Sequence, residues 1–258
     1  MANLWNGLMP YKIETEDFVP EIKAYPAGSK GAVIVFPGGG YGGRAEHEGD
    51  VMGEWFQQNG VTAFVVEYRV APYKHPAELS DAMRAVKTVR FYADKYGIDK
   101  DKIAVMGFSA GGHLAGSVSV HFDKDIYEAT DEIDKESARP DASILCYPVI
   151  DMGDYRHDGS RINLLGWRTT DKMKDFMSLQ KQVNENTPEA FIWHTSTDEC
   201  VFVENSLMYA AALAKEKIPY ELHIYPMGPH GLGLSPEIPY VAKWADNLLC
   251  WLENKGWK

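Results

Sequence analysis

The feature that most limits what this chain can become is an alternation of short, continuous apolar runs with longer helical patterns. Ala32 to Phe36, Val61 to Tyr68, Ile103 to Met106, Ile144 to Val149, Ala190 to Thr195 and Tyr220 to Tyr225 read as strands that are continuous rather than alternating. Parallel strands covered on both faces have that pattern. Between them, Ala82, Ala85, Val86, Val89 and Ala93 recur at helical spacing within Ala77 to Tyr96, and Gly97 supplies the stop. Glu204 to Lys217, ended by Pro219, and Glu237 to Asn254 read as two further helices. The alternation predicts an α/β fold with a mostly parallel central sheet and helices on both faces. Tyr11 to Pro26 alternates weakly and predicts one or two edge strands. With 258 residues, 45% of them hydrophobic, the chain can bury one sizeable core, and a single domain over 1–258 is expected. One stretch breaks the rhythm. Residues 151–188 show polar positions, Leu164, Leu165, Trp167 and a helical pattern over Thr170 to Phe176, but no strand. An irregular insertion of that length predicts a lid.

A formal charge of −11 argues against nucleic acid or an anionic membrane as the main partner. The amino-terminal residues lack the basic and apolar regions of a signal peptide, and no apolar run reaches bilayer-spanning length. Cys146, Cys200 and Cys250 are odd in number and fit no metal-ligand spacing. A cytoplasmic protein without metal or organic cofactor is expected. A homo-oligomer is compatible with the sequence, which locates no patch for one.

The chemistry concentrates at Gly107-Phe108-Ser109-Ala110-Gly111, between a predicted strand and a predicted helix. A serine on so sharp a turn must adopt a strained backbone. Glycine two residues to either side removes the collisions that side chains would cause and leaves the hydroxyl exposed above the sheet edge. A serine hydroxyl needs a base. Of the histidines after it, His113 and His121 fall on the following helix, and His194 and His223 fall in strands. His230 lies in the Met227-Gly-Pro-His-Gly-Leu-Gly loop after the last strand and is the favoured base. The acid that fixes its tautomer should follow an earlier strand. Asp198 fits, with Glu199 beside it and Asp151 after another strand as alternatives. Pro37-Gly38-Gly39-Gly40-Tyr41 follows the first strong strand, where glycine amides can approach an oxyanion closely, and the Ala110 amide completes the set. A phosphate loop is the rival reading, but no Lys-Ser/Thr follows the glycines. His47 and Glu48, next in sequence, are candidates for shaping the pocket.

From Ala32 to Trp251 the chain resembles bacterial acetyl-esterase-like α/β-hydrolases, relatives of the hormone-sensitive-lipase group, in the BD-FAE-like or acetyl xylan esterase-like branch. The resemblance rests on Pro37-Gly-Gly-Gly-Tyr41, Tyr68-Arg-Val-Ala-Pro72, Val105-Met-Gly-Phe-Ser-Ala-Gly-Gly-His-Leu-Ala115, Phe191-Ile-Trp-His-Thr195 with Asp198, and Pro229-His-Gly-Leu-Gly-Leu234. It implies the α/β-hydrolase fold, Ser109, Asp198 and His230 as catalytic residues, and Gly39, Gly40 and Ala110 as oxyanion donors. Two departures stand out: Pro37 occupies the place where relatives carry histidine, and the front of the chain is too short for a large cap domain. The implied activity is hydrolysis of short-chain esters, acetyl above all, on sugars such as xylo-oligosaccharides. Tyr41, Trp167 and Trp193 are candidates to stack on a sugar ring, against the alternative that each simply packs. Two other classes remain: a peptidase of the prolyl-oligopeptidase type and a non-catalytic binding protein on the same fold.

Overall fold

The computed structural model describes residues 2–5, 7 and 9–258. Among them, strands β1 (Ala2–Asn3), β2 (Glu21–Tyr25), β3 (Ala32–Phe36), β4 (Thr62–Glu67), β5 (Ile103–Phe108), β6 (Ala142–Cys146), β7 (Glu189–Thr195) and β8 (Tyr220–Tyr225) form one sheet in the order β1-β2-β4-β3-β5-β6-β7-β8. β3 to β8 pair in parallel, whereas β1 and β2 join antiparallel at the edge. The weakly alternating stretch of residues 11–26 thus yields one strand, β2, at its end.

Each inner strand sends alternate residues to opposite faces, and both faces are apolar because both are covered. Ala32, Ile34 and Phe36 of β3, Ile103 and Val105 of β5 and Ile192 of β7 pack on one side. There they meet Leu79 and Val86 of helix α2 (Ala77–Phe91), Leu114 and Val118 of α4 (Ser109–His121) and Tyr209 of α7 (Glu204–Lys215). Val33, Val35, Met106, Phe191 and Trp193 face the other side, against Met52 and Phe56 of α1 (Asp50–Gln58) and Trp244 and Leu248 of α8 (Pro239–Asn254).

Several boundaries differ from the sequence expectation. The helix expected over residues 77–96 breaks at Tyr92 into α2 and the short α3 (Ala93–Tyr96), which ends on left-handed Gly97. The apolar run Ile144 to Val149 leaves the sheet at Cys146, because Tyr147 turns to a φ of 37° and Pro148 has no amide hydrogen. Val149 and Ile150 are buried, and the Val149 amide donates to Ser109 O at 3.0 Å. The run therefore marked burial beneath the serine turn, not a longer strand. α1, with Val51, Met52, Trp55 and Phe56 at helical spacing, forms where no element was expected from the sequence. Within residues 151–188 two short helices form, α5 (Asp158–Leu165) and α6 (Asp171–Phe176), with Thr170 capping α6 through its side chain.

Candidate active site

The loops after β3, β5, β7 and β8 all leave the sheet at the carboxyl ends of its parallel strands, where α/β folds gather ligands. No residue separates β5 from α4, so Ser109 makes the whole turn, at a φ of 52°. The flanking glycines are obligatory: a Cβ on Gly107 would lie 2.0 Å from Gly111 O, and one on Gly111 would lie 2.1 Å from Phe36 O. Backbone packs directly on backbone here, and the serine is held in its left-handed conformation by the strand and helix it joins.

His230 and Asp198 converge on that serine. His230 Nδ1 lies 2.6 Å from Asp198 Oδ2, and His230 Nε2 lies 2.8 Å from Ser109 Oγ. A carboxylate only accepts, so Nδ1 carries the hydrogen and Nε2 is left to accept from the serine hydroxyl. Asp198 is itself anchored, with Oδ1 accepting the Cys200 and Val201 amides at 2.9 Å each. Its Oδ2 also lies 3.3 Å from His194 Nε2. Burial alone would raise the Asp198 carboxyl, but hydrogen bonds from His194 and His230, with the Val201 amide, outweigh it and hold the group below the ordinary carboxylate range. Of the alternative acids, Glu199 is exposed, and Asp151 is engaged by Gln180 (2.8 Å), Ser178 (3.1 Å) and the Tyr155 amide (3.1 Å).

The glycine loop arches beside the serine. Gly39 and Gly40 take φ values of 128° and 63°, and among the described residues no protein acceptor takes their amide hydrogens. Ala110 sits in the first turn of α4, whose amides have no partner within the helix. The loop is tied down from behind. The buried Glu48 carboxylate accepts the Gly38 amide at 2.8 Å and the Tyr147 hydroxyl at 2.6 Å. Tyr147 in turn accepts the Gly233 amide at 2.8 Å and sets its ring edge-on to His230, centroids 5.1 Å apart. His47 Nε2 donates to Gly231 O at 2.9 Å. Glu48 and Tyr147 thus brace the glycine loop and the histidine loop together.

The sugar-stacking candidates divide. Trp193 is fully buried and stacks on Trp244 at 4.9 Å, so it faces the core beneath the sheet. Tyr41 is fully buried, with its hydroxyl donating to His113 Nδ1 at 2.8 Å. Both are corrected from substrate-facing to packing roles; each is large, apolar and close in sequence to the site, which is all the sequence shows. Trp167, 80% exposed, keeps a free face. Sequence reading also missed contributors. His194, which the sequence places only within a strand, touches the acid, and His157 and Asn163 in the insertion reach the glycine loop; neither periodicity nor motif spacing marks them. A cleft of about 660 Å³ flanks His230, lined by Thr197, Glu199, Cys200, Met227 and Ile238. No group of three or more His, Cys, Asp or Glu among the described residues is placed to hold a metal ion, and no described helix is long and apolar enough to cross a membrane.

Residues 22–213 match the BD-FAE family profile. Over 238 residues the chain is 43% identical to endo-1,4-beta-xylanase B of Butyrivibrio fibrisolvens, covering 89% of this chain and 37% of that protein. It is 32% identical to an acetylxylan esterase of Xylanibacter ruminicola, covering 92% of this chain and 47% of the relative. The chain therefore spans less than half the length of these two relatives. Among solved structures, an acetyl ester-xyloside bifunctional hydrolase from Caldicellulosiruptor lactoaceticus superposes with a TM-score of 0.95 at 44% identity, over 100% of this chain and 96% of that one.

Proposed function

The chain belongs to the BD-FAE family, and from that premise we propose that it is a serine carboxylesterase that removes short acyl groups, acetyl above all, from sugars such as xylo-oligosaccharides. The observation that carries the reading is the unbroken hydrogen-bonded line from Asp198 through His230 to Ser109. Ser109 Oγ attacks the ester carbonyl as His230 Nε2 takes its proton. Asp198 stays ionised and stabilises the imidazolium it orients. The Gly39, Gly40 and Ala110 amides receive the oxyanion, a contact that strengthens as charge develops. His230 then returns the proton to the alkoxy oxygen and the alcohol leaves. Water, activated by the same imidazole, cleaves the acyl-serine.

The acetylated-sugar substrate draws support from the relatives named for acetylxylan and acetyl ester-xyloside hydrolysis. In this reading residues 1–258 are one domain, residues 151–188 form its lid, Trp167 offers a sugar platform, and the free cysteines suit a cytoplasmic setting. Replacing Ser109 with alanine tests it. Turnover of phenyl acetate should fall by about 10⁴-fold or more with the fold retained. Activity that survives the substitution removes the serine mechanism.

A further inference from the structure

We infer that His157 is a substrate-binding residue whose Nε2–H donates to a hydroxyl or ring oxygen on the alcohol side of the bound ester; the inference rests on the esterase reading above. His157 is the N-cap of α5. Its Nδ1 accepts the Ser160 amide at 3.3 Å and lies 2.8 Å from Ser160 Oγ. A ring nitrogen that accepts a backbone amide carries no hydrogen, so in the neutral ring the hydrogen is on Nε2. Nε2 has no partner among the described residues and is not among the buried unpartnered atoms, so it is open to solvent.

The ring lies against the glycine loop. A Cβ built on Gly40 would meet His157 Cε1 at 3.8 Å and Ser160 Oγ at 4.0 Å. Two bonds hold α5 there: Asn163 Nδ2 donates to Gly40 O at 2.9 Å, and the His75 amide donates to Leu164 O at 2.9 Å. Burial, and then the nearby His230, push the His157 imidazole below its ordinary range, so it is neutral at pH 7. Neutral, with its Nδ1 lone pair taken by the Ser160 amide, the ring faces the site as a donor through Nε2.

Its place beside Gly40, near enough to His230 for the two imidazoles to interact, selects which part of the ester it meets. The carbonyl oxygen is drawn to the glycine amides. The alkoxy oxygen must face His230, which protonates it on departure. A donor on that flank meets the alcohol, and a sugar carries acceptor oxygens beside its acetylated position where a phenyl group has none. The ligand class is thus a polyol ester rather than a simple aryl or alkyl ester.

His157→Asn and His157→Ser test this, since both residues cap a helix well but lack the reach of the imidazole. With methyl xyloside monoacetate, kcat/KM should fall about tenfold or more, mainly through KM, the cost of one lost hydrogen bond to substrate. With phenyl acetate it should fall by about threefold or less, and the melting temperature should stay within about 2 °C of the wild type. Equal losses on both esters, or no loss on the sugar ester, overturn the inference while leaving the esterase intact. A wild-type protein that hydrolyses neither ester overturns the esterase reading, and one that hydrolyses only phenyl acetate overturns the sugar substrate; this inference falls with either.

Discussion

The serine turn and the insertion over it border the same site but are held by different forces. At the turn, Gly107, Gly111 and Phe36 meet backbone to backbone at distances that admit no side chain. In the insertion, side chains supply most of the contacts, with Asn163 on Gly40 O, His157 on the Ser160 amide, and Ser178 and Gln180 on Asp151, beside backbone bonds from the His75 amide to Leu164 O and the Leu179 amide to Ile150 O. Backbone packing of that closeness leaves one arrangement, so the turn is rigid and intolerant of change. Each side-chain bond contributes only about 0.5–1.5 kcal/mol net, so the insertion can be retuned one contact at a time. In the proposed function, reaction chemistry sits on the first region and substrate choice on the second.

The largest expected effect breaks the turn. Gly111→Ala forces a methyl group into the Phe36 and Pro37 carbonyl groups and should cost at least about 3 kcal/mol, with activity lost alongside stability. Denaturant unfolding measures it, and a variant as stable as the wild type would show that the turn has slack.

A second, pH-dependent effect separates the regions by sign. His113 Nε2 donates to Met177 O and His121 Nε2 to Phe176 O, beneath the insertion, with His75 alongside Phe176. Burial pushes all three imidazoles down to about 4. The unfolded chain then binds more protons than the folded one between about 4 and 6.5, so stability falls as pH drops through that window. Glu78 is buried in α2 with both carboxylate oxygens unpartnered, and burial pushes it up to about 8. It keeps its proton when folded and loses it when unfolded above its ordinary value of 4.5, so its contribution is lost progressively as pH rises from 4.5 through about 8. The three histidines outweigh Glu78 up to 6.5 and Glu78 acts alone from there to about 8, so the highest melting temperature should lie at about pH 6.5 to 7, and Glu78→Gln should remove the decline above it and steepen the rise below it. A flat melting profile between about pH 5 and 9 contradicts both assignments.

The smallest effect sharpens the contrast. Asn163→Ala removes the donor to Gly40 O and should cost about 1 kcal/mol in positioning the glycine loop, lowering kcat about fivefold with little change in melting temperature. An effect on stability as large as that of Gly111→Ala would erase the distinction between the regions.

Much of the scaffold could be read from the chain. β3 falls on the expected residues and β7 begins one residue earlier, because a strand buried on both faces leaves a continuous apolar signature; β8 also falls on the expected residues, although it is a half-exposed edge strand. Ser109 was legible because its turn demands glycine at two fixed offsets. Tyr147 was not. Its left-handed conformation and its bond to Glu48, 99 residues away, have no local signal.

The amino-acid sequence alone determined the sheet, the strained serine turn and the order in which hydroxyl, acid and imidazole arrive, since periodicity and glycine placement act over a few residues. Tertiary structure decided which acid meets His230, that Trp193 and Tyr41 turn inward, and that the His157 ring lies against Gly40. Those outcomes depend on the paths of loops far apart in the chain, and such paths are fixed only when both faces of the sheet are packed.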